Sequence, residues 1–193
     1  GPRRWLVYTF SNVADAFPAE LLPAVDNLIR CIEESDENLQ TNAISTLGKI
    51  ANGYPDAAAN ITDSLAKLIT SENAMVRANA AGLLADIAQS DPDAVILHAS
   101  ELAESLSAED EETRVHGSIA LLRAGEANPD AVHDEHEHLA AALQDSNPAV
   151  RANACTLVGN SDAPVPVEQL RQLEDDPDEQ VRKQAAWALG RIS

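Results

Sequence analysis

Apolar side chains recur along this chain at the spacing of one face of an α-helix. In the segment that starts at Glu72, the residues Val76, Ala80, Leu83 and Ile87 recur at about 3.6-residue spacing and make one apolar face of a helix. The same arrangement returns in other segments, at intervals of 37, 37, 37 and 31 residues. The anchor positions, at which this face begins in the five segments, are Leu39, Val76, Thr113, Val150 and Val181. The pattern predicts five equivalent helices, and we name them the B helices.

Each B helix has a marked beginning. Three residues before the anchor position stands an Asp or an Asn, whose side chain caps the free N–H groups of a first turn. These capping positions are Asp36, Asn73, Asp110, Asn147 and Asp178. Proline or an acidic residue often follows, and both suit the first turn of a helix.

A second amphipathic helix, the A helix, precedes each B helix. Its apolar stripe includes Leu28, Leu65, Leu102, Leu139 and Leu170, and prolines mark its start at 18, 55, 92 and 129. The unit is therefore helix A, a turn, helix B and a proline-marked turn into the next unit.

The register also reaches the start of the chain, where residues 3–17 fit a B helix without its A helix. We therefore expect a single all-α domain of eleven helices, or about five and a half repeats. The half repeat is 3–17, and the full repeats are 18–53, 54–90, 91–127, 128–160 and 161–193. Because the leading A helix is missing, we expect the segment to have been cut from a longer chain.

The repeated string resembles a known family. The run from Asp178 to Gly190, DEQVRKQAAWALG, is similar to HEAT repeats of the short type that also occurs in phycobilisome-lyase-like proteins. The resemblance covers nearly the whole chain. It implies a right-handed α-solenoid of HEAT-like helical hairpins, in which the B helices line a concave groove. Such solenoids serve many tasks, so the resemblance specifies the fold more closely than the function.

The net charge is strongly negative, at -19 with a sequence pI near 4.4, and Lys49, Lys67 and Lys183 are the only lysines. This charge argues against nucleic acid as a partner, because such binding needs Lys and Arg at the phosphates. Scarce lysine, abundant acids and a small-residue core are typical of proteins from salt-accumulating archaea, where salt screens the repulsion between acids. The alternative is an acidic protein from an ordinary cell that attracts a basic partner.

Several classes of protein are excluded. Two cysteines, Cys31 and Cys155, are too few for a disulfide-stapled secreted domain. No apolar run approaches the roughly 18 residues of a membrane span, and no signal peptide is visible. We therefore expect a cytoplasmic protein that does not enter a membrane.

Two rows of B-helix positions are predicted to be structural. The first carries arginines that can pair with capping acids of neighbouring repeats, and the second carries amides that can satisfy backbone groups between repeats. The ladder residues are Arg77, Arg114, Arg151, Arg182, Asn42, Asn79 and Asn153. The alternatives are a basic binding stripe for the first row and a clamp on a bound peptide for the second.

The outward rows of the B helices carry small residues in the middle and an aromatic side chain beside a cation at each end. Small residues allow close approach of another chain, and aromatic and basic residues dominate interface hot spots. The candidate groove contacts are Arg4, Tyr8, Val115, Ile119, Lys183 and Trp187. We therefore expect a non-enzymatic scaffold or adaptor without a cofactor, which binds a segment of an unidentified protein. The aromatic ends equally suit solenoid ends that stack on further copies.

One cluster suits a different function. His133, His136 and Glu137 would lie on one side of an A helix, and histidine is a common metal ligand. This cluster is the basis of the alternative, a metal- or prosthetic-group-dependent enzyme of the HEAT-like lyase type. We expect a solvated polar helix here and no bound metal.

Overall fold

The fold is described from a computed structural model, which covers residues 2–32, 34 and 36–192. Within these ranges the chain forms helices and turns, without a β-strand. The α-helices in chain order are α1 (Pro2–Val13), α2 (Pro18–Leu21), α3 (Val25–Ile32), α4 (Glu37–Gly53), α5 (Pro55–Leu68), α6 (Ala74–Ser90), α7 (Pro92–Ile96), α8 (Ala99–Ser105), α9 (Glu111–Ala127), α10 (Asp130–His133), α11 (His136–Ala142), α12 (Pro148–Ser161), α13 (Val167–Gln172) and α14 (Glu179–Arg191). Short 3-10 turns occupy Leu22–Ala24 and Leu173–Asp175.

Helices α1, α4, α6, α9, α12 and α14 are the B helices, and each packs beside the next to form one layer. The other helices form a second layer against them. The all-α solenoid expected from the sequence is confirmed, with the predicted alternation of A and B arms along the chain. The predicted caps are also confirmed. Asp36, Asn73, Asp110, Asn147 and Asp178 each accept a hydrogen bond from a first-turn N–H.

The A arms depart from the continuous helices that the sequence predicts. The first arm is α2 and α3 joined by a 3-10 turn that contains Pro23, which lacks the N–H that a helix interior needs. The third arm breaks at His98 and the fourth at Glu135, two positions 37 residues apart. Both residues have backbone angles outside the helical range. The second arm, α5, runs without a break.

The core lies between the two layers, and it repeats with the sequence. The leucines of the A-arm stripe, Leu28, Leu65, Leu102, Leu139 and Leu170, are all at most 1% exposed. The anchor positions of the B helices are at most 3% exposed. Each repeat therefore buries its two stripes against each other and against its neighbours, as a stacked array of hairpins requires.

The fifth repeat is shorter because it lacks the first part of its A arm. Helix α12 ends at Asp162, which has a left-handed backbone with φ of 52°. The next four residues are not helical, and Ala163 and Val165 fill the core there. Helix α13 then takes the place that α8 and α11 hold in earlier repeats. The spacing of 31 residues therefore reflects the loss of a short helix and preserves the stacking of B helices.

Candidate partner-binding face

The arginines of the first row bind the turns that join helix A to helix B. In each repeat the Nη1 atom donates to the carbonyl oxygens of the residues six and five positions earlier. The bonds from Arg77, Arg114, Arg151 and Arg182 measure between 2.7 and 3.2 Å. In the first full repeat Gln40 stands at this position, and its Nε2 donates to the carbonyls of Ile32 and Glu34.

Three of these arginines also reach an aspartate of the following repeat. Arg77 donates to Asp110 at 2.6 Å, and Arg114 to Asp145 at 2.6 Å. Arg151 makes two bonds of 2.9 Å to the two carboxylate oxygens of Asp176. Only Asp110 is itself a helix cap, while Asp145 and Asp176 lie two residues before one. The arginine row therefore links each turn to the next.

Two of these ion pairs help to lower the pKa values of their aspartates. Arg151 is the main cause that holds the pKa of Asp176 below its ordinary value, against the effect of burial. Burial alone would raise the pKa of Asp110, but hydrogen bonds from Thr113 and Arg77 outweigh it and lower that pKa. Both aspartates are therefore charged at neutral pH, and the arginine charge is neutralised within the fold.

The amide row is partly engaged between helices. Asn153 Nδ2 donates to Ser118 Oγ at 3.0 Å, and Asn42 Oδ1 accepts from Ser11 Oγ at 3.1 Å. His116 stands in the same row, with Nδ1 3.2 Å from the carbonyl oxygen of Ala78. Asn79 lines a depression of the B layer beside Gly82.

The middle of the B layer presents a shallow groove. Val115 and Ile119 are half-buried and rest on the core. Two adjoining depressions flank α6, one toward α4 and one toward α9, and Ile119 lines the second. The walls of these depressions combine the small residues Ser45, Gly48 and Gly82 with the larger side chains of Ile44 and Leu83.

At the first end of the groove Tyr8 is 50% exposed and meets the Trp5 ring edge-on, with ring centres 6.0 Å apart. Arg4 forms an ion pair with Asp36, the cap of α4. This ion pair resembles that of Arg77 with Asp110, the cap of α9, and it offsets the charge of Arg4.

At the second end Trp187 packs across α12. A Cβ added at Gly159 would lie 2.5 Å from the Trp187 ring, so the absent side chain leaves room for that ring. The guanidinium of Arg191 lies 5.4 Å from the ring centre, and the ring remains 40% exposed. Lys183 pairs with Glu179 of its own helix at 2.7 Å.

The sequence analysis did not identify a second row of cations in the B helices. Lys49, Arg123 and Arg191 stand at equivalent positions near the ends of their B helices. They donate to carbonyls of the preceding B helix, namely Ser11 O at 2.9 Å, Ala85 O at 2.6 Å and Gly159 O at 3.0 Å. The 37-residue register would have revealed this row, because the three residues lie thirteen positions after their caps.

The histidine cluster is divided by the break in the fourth A arm. His133 ends α10, while His136 and Glu137 begin α11. His133 Nδ1 lies 3.0 Å from the carbonyl oxygen of Ser161, at the end of α12. Across the described ranges, no three His, Cys, Asp or Glu side chains are grouped as metal ligands.

The two cysteines lie in the core. Both Cys31 and Cys155 are buried and free. Burial raises the pKa of Cys155 to about 12, so this thiol stays protonated and behaves as a small apolar side chain. Among the helices that the structure describes, none has both the length and the apolar character needed to cross a membrane.

The stacked hairpins, the layered core and the turn-binding arginines define a class of protein, the repeat α-solenoids of the HEAT and armadillo type. Residues 3–124 match the family model for non-SMC mitotic condensation complex subunit 1, and residues 137–193 match the model for HEAT repeats. Since the first match covers more than half of the chain, the chain belongs to that family of HEAT-type solenoids. These two matches do not show the phycobilisome-lyase-like subtype.

Solved structures agree on the fold. An engineered protein is 25% identical, with a TM-score of 0.72 over 98% of this chain and 89% of its own. A designed armadillo repeat protein is 20% identical, with a TM-score of 0.70 over 98% and 93% of the two chains. Armadillo proteins computationally designed for modular peptide recognition are 20% identical, with a TM-score of 0.68 over 97% and 92%. Among curated proteins, none matches this chain.

Proposed function

We propose that this chain is a non-enzymatic scaffold that holds an extended segment of a partner protein along the groove of its B layer. The contacts would come from Tyr8 and Trp187 at the ends and from Val115 and Ile119 between them. Arg4 and Lys183 would also contribute. Each would leave its present partner, Asp36 or Glu179, and pair with an acidic residue of the bound segment.

The proposal rests on one observation: some rows of B-helix side chains bind other parts of the fold, while the rows beside them remain accessible. The arginines and several amides are engaged in turns and neighbouring helices. The groove rows beside them keep accessible apolar surface, including half of the Tyr8 side chain. A surface with a polar frame and a small, apolar centre suits a peptide whose side chains reach between the helices.

The comparisons support this choice without naming a partner. One group of structural neighbours was designed for modular peptide recognition. The matching family is described as a subunit of a complex. A role within an assembly, through a bound segment, is consistent with both.

A displayed library of random 12-residue peptides provides a direct test. After selection on the wild-type chain, the enriched peptides would be synthesised and their Kd measured by fluorescence anisotropy. We expect the double substitution Tyr8→Ala with Val115→Gln to weaken binding at least about tenfold, since it removes two accessible apolar contacts of the B layer.

The matched control makes the same chemical changes on the other layer, at Phe17→Ala and Val167→Gln. Phe17 is 60% exposed and Val167 is 41% exposed, so each control residue is more exposed than the groove residue that it matches. Equal loss of affinity in both double variants, or no enrichment of any peptide, would refute the groove. Thermal unfolding of both variants verifies that they fold.

We further propose that the acid excess is an adaptation to a salt-rich cytoplasm of an archaeal cell. On this view the acids on outward turns reflect the solvent, and nucleic acid is not a partner because exposed cations are scarce. Stacking of solenoid ends on further copies is the competing use of Trp5, Tyr8 and Trp187. Sedimentation velocity at low and at molar salt distinguishes a monomeric scaffold from such stacks.

A further inference from the structure

The notch between α4 and α6 interrupts the second cation row. In that row a cation donates to a carbonyl of the preceding B helix, from 38 residues away for Lys49 and Arg123 and 32 for Arg191. In α6 the equivalent residue is Asp86, and the carbonyl that it would face is that of Gly48. A carboxylate cannot donate a hydrogen bond to a carbonyl. Helix α12 has Asn160 at this position, so α6 alone among these helices has an acid there.

The space of the missing contact is open. A notch of about 570 Å³ lies between the last turns of the two helices, and its walls include Gly48, Leu83 and Asp86. Asn52 and Ser90 also line it, and Ser90 Oγ donates to Asn52 Oδ1 at 2.9 Å. The absent side chain of Gly48 leaves its backbone accessible, since an added Cβ would approach only Leu83, at 3.3 Å.

The electrostatics of the notch favour a positive charge. The carboxylate of Asp86 is exposed and has no ion pair among the described residues. The notch also lies at the carboxyl ends of α4 and α6, where the helix dipoles carry partial negative charge. Among the described residues of its wall, Lys49 is the one cation. Its ammonium group is held toward α1 by Asp15, at 2.8 Å, and by the carbonyl oxygen of Ser11.

We propose that the notch binds a lysine or arginine side chain of the segment that occupies the groove. The guest cation would pair with Asp86 and donate to the Gly48 carbonyl, and so complete the row that Lys49 and Arg123 form on either side. Its aliphatic stem would lie on Ile44 and Leu83, which also line the notch. This inference rests on the proposed function and names one feature of the bound segment.

The first experiment is a specificity test with the random-peptide library. We expect the wild-type chain to enrich peptides with Lys or Arg at one fixed position, and Asp86→Asn to lose this preference with at least about a tenfold drop in affinity. Asp134→Asn is the matched control, because Asp134 is exposed on the A layer and its substitution changes the net charge by the same amount. It should keep the preference.

The outcomes separate this inference from the proposed function. Two results would refute the cation site in the notch but not the proposed peptide groove. They are enrichment of peptides without a fixed basic position, and equal effects of Asp86→Asn and Asp134→Asn. Failure to enrich any peptide would overturn both. Loss of the preference in Asp86→Asn alone supports both.

A second experiment needs no partner. In Asp86→Lys the new ammonium can reach the Gly48 carbonyl as Lys49 reaches that of Ser11, so we expect Tm to rise by about 2–4 °C. Asp134→Lys is the control, because it changes the net charge by the same amount but lies outside the register position that faces a carbonyl of the preceding B helix. An equal rise in both variants would show that general charge relief accounts for the effect, and would contradict the geometry.

Discussion

At the scale of single residues, the ladder arginines show why one side chain can hold several turns together. Arg151 donates to two carbonyls of its own repeat and to both oxygens of Asp176 in the next. Its side chain is 12% exposed and that of Asp176 is 5% exposed. At this depth the pair is shielded from solvent and salt, and loss of one member leaves the other charge buried without its partner.

We therefore expect Arg151→Met to lower the free energy of unfolding by about 3 kcal/mol. Methionine keeps most of the apolar stem, so the loss reports on the charged bonds. Urea unfolding at pH 7 measures it. The control is Arg171→Met, whose pair with Glu168 has side chains 63% and 69% exposed, and which should cost less than about 0.5 kcal/mol. A similar small loss in both would contradict a structural role for the ladder.

The lowered pKa of Asp176 predicts a pH dependence with a definite sign. A carboxyl group with a lower pKa in the folded chain binds fewer protons there than in the unfolded chain. Its stabilising effect is complete above the unfolded pKa, near 4, and is lost as the pH falls through the folded value.

Asp176→Asn should therefore be less stable than wild type at pH 7, and the difference should shrink as the pH falls below about 4. Urea unfolding of both proteins at several pH values measures this difference. A difference that stays constant, or grows toward low pH, would mean that Asp176 is not stabilised in its charged form.

At the scale of the helices, the B layer was predictable and the A layer less so. The caps and apolar rows of the B helices follow from a register that the sequence displays directly. The break at Glu135 has no such signal, because no proline marks it and the apolar stripe continues through Leu139. It divides His133 from His136, which sequence spacing had placed on one helix face.

The same limit applies to the groove candidates. Spacing places Arg4 in an outward row, but its pairing with Asp36 depends on how α1 rotates against α4, which a periodic pattern does not encode. Spacing likewise could not show that Trp187 lies over Gly159. The second cation row was in principle visible, since its members share one register position, but its function emerges only with the neighbouring carbonyls in place.

The packing of α14 on α12 leads to a prediction at the scale of helices. In Gly159→Ala the new methyl group would meet the Trp187 ring at 2.5 Å and the Ala188 backbone at 3.0 Å. Because a backbone atom cannot rotate away, α14 must shift, and we expect a loss of about 1–3 kcal/mol in the free energy of unfolding. In a Trp5→Phe background, Trp187 fluorescence should move to longer wavelength as the ring becomes hydrated.

Gly190→Ala is the control for this change, because a Cβ at Gly190 would meet no other helix of the described chain within 4 Å. Alanine favours a helix over glycine, so this variant should be as stable as wild type or slightly more stable. Equal destabilisation by both substitutions would indicate that α12 and α14 are sensitive to alanine in general. It would contradict the prediction that the contact with the Trp187 ring causes the loss.

At the scale of the whole molecule, the charge of -19 has two parts with different responses to salt. The ladder aspartates are paired and shielded, so salt screens them little. Acids on the outward turns, such as Glu109 and Asp134, are exposed and repel one another. Salt therefore relieves more repulsion than attraction in this fold, because the attractive pairs lie deeper than the repulsive charges.

If the acid excess is an adaptation to salt, Tm should rise steadily from 0.1 to 2 M KCl, at about 2–4 °C for each kcal/mol of relieved repulsion. The control variant replaces five exposed acids by amides at Asp93, Glu109, Asp134, Glu137 and Glu174, and leaves the ladder intact. It should be more stable than wild type at 0.1 M KCl and gain less from added salt. An equal gain in both proteins would assign the effect to general salting-out of apolar surface. The acid excess would then be better explained by attraction of a basic partner.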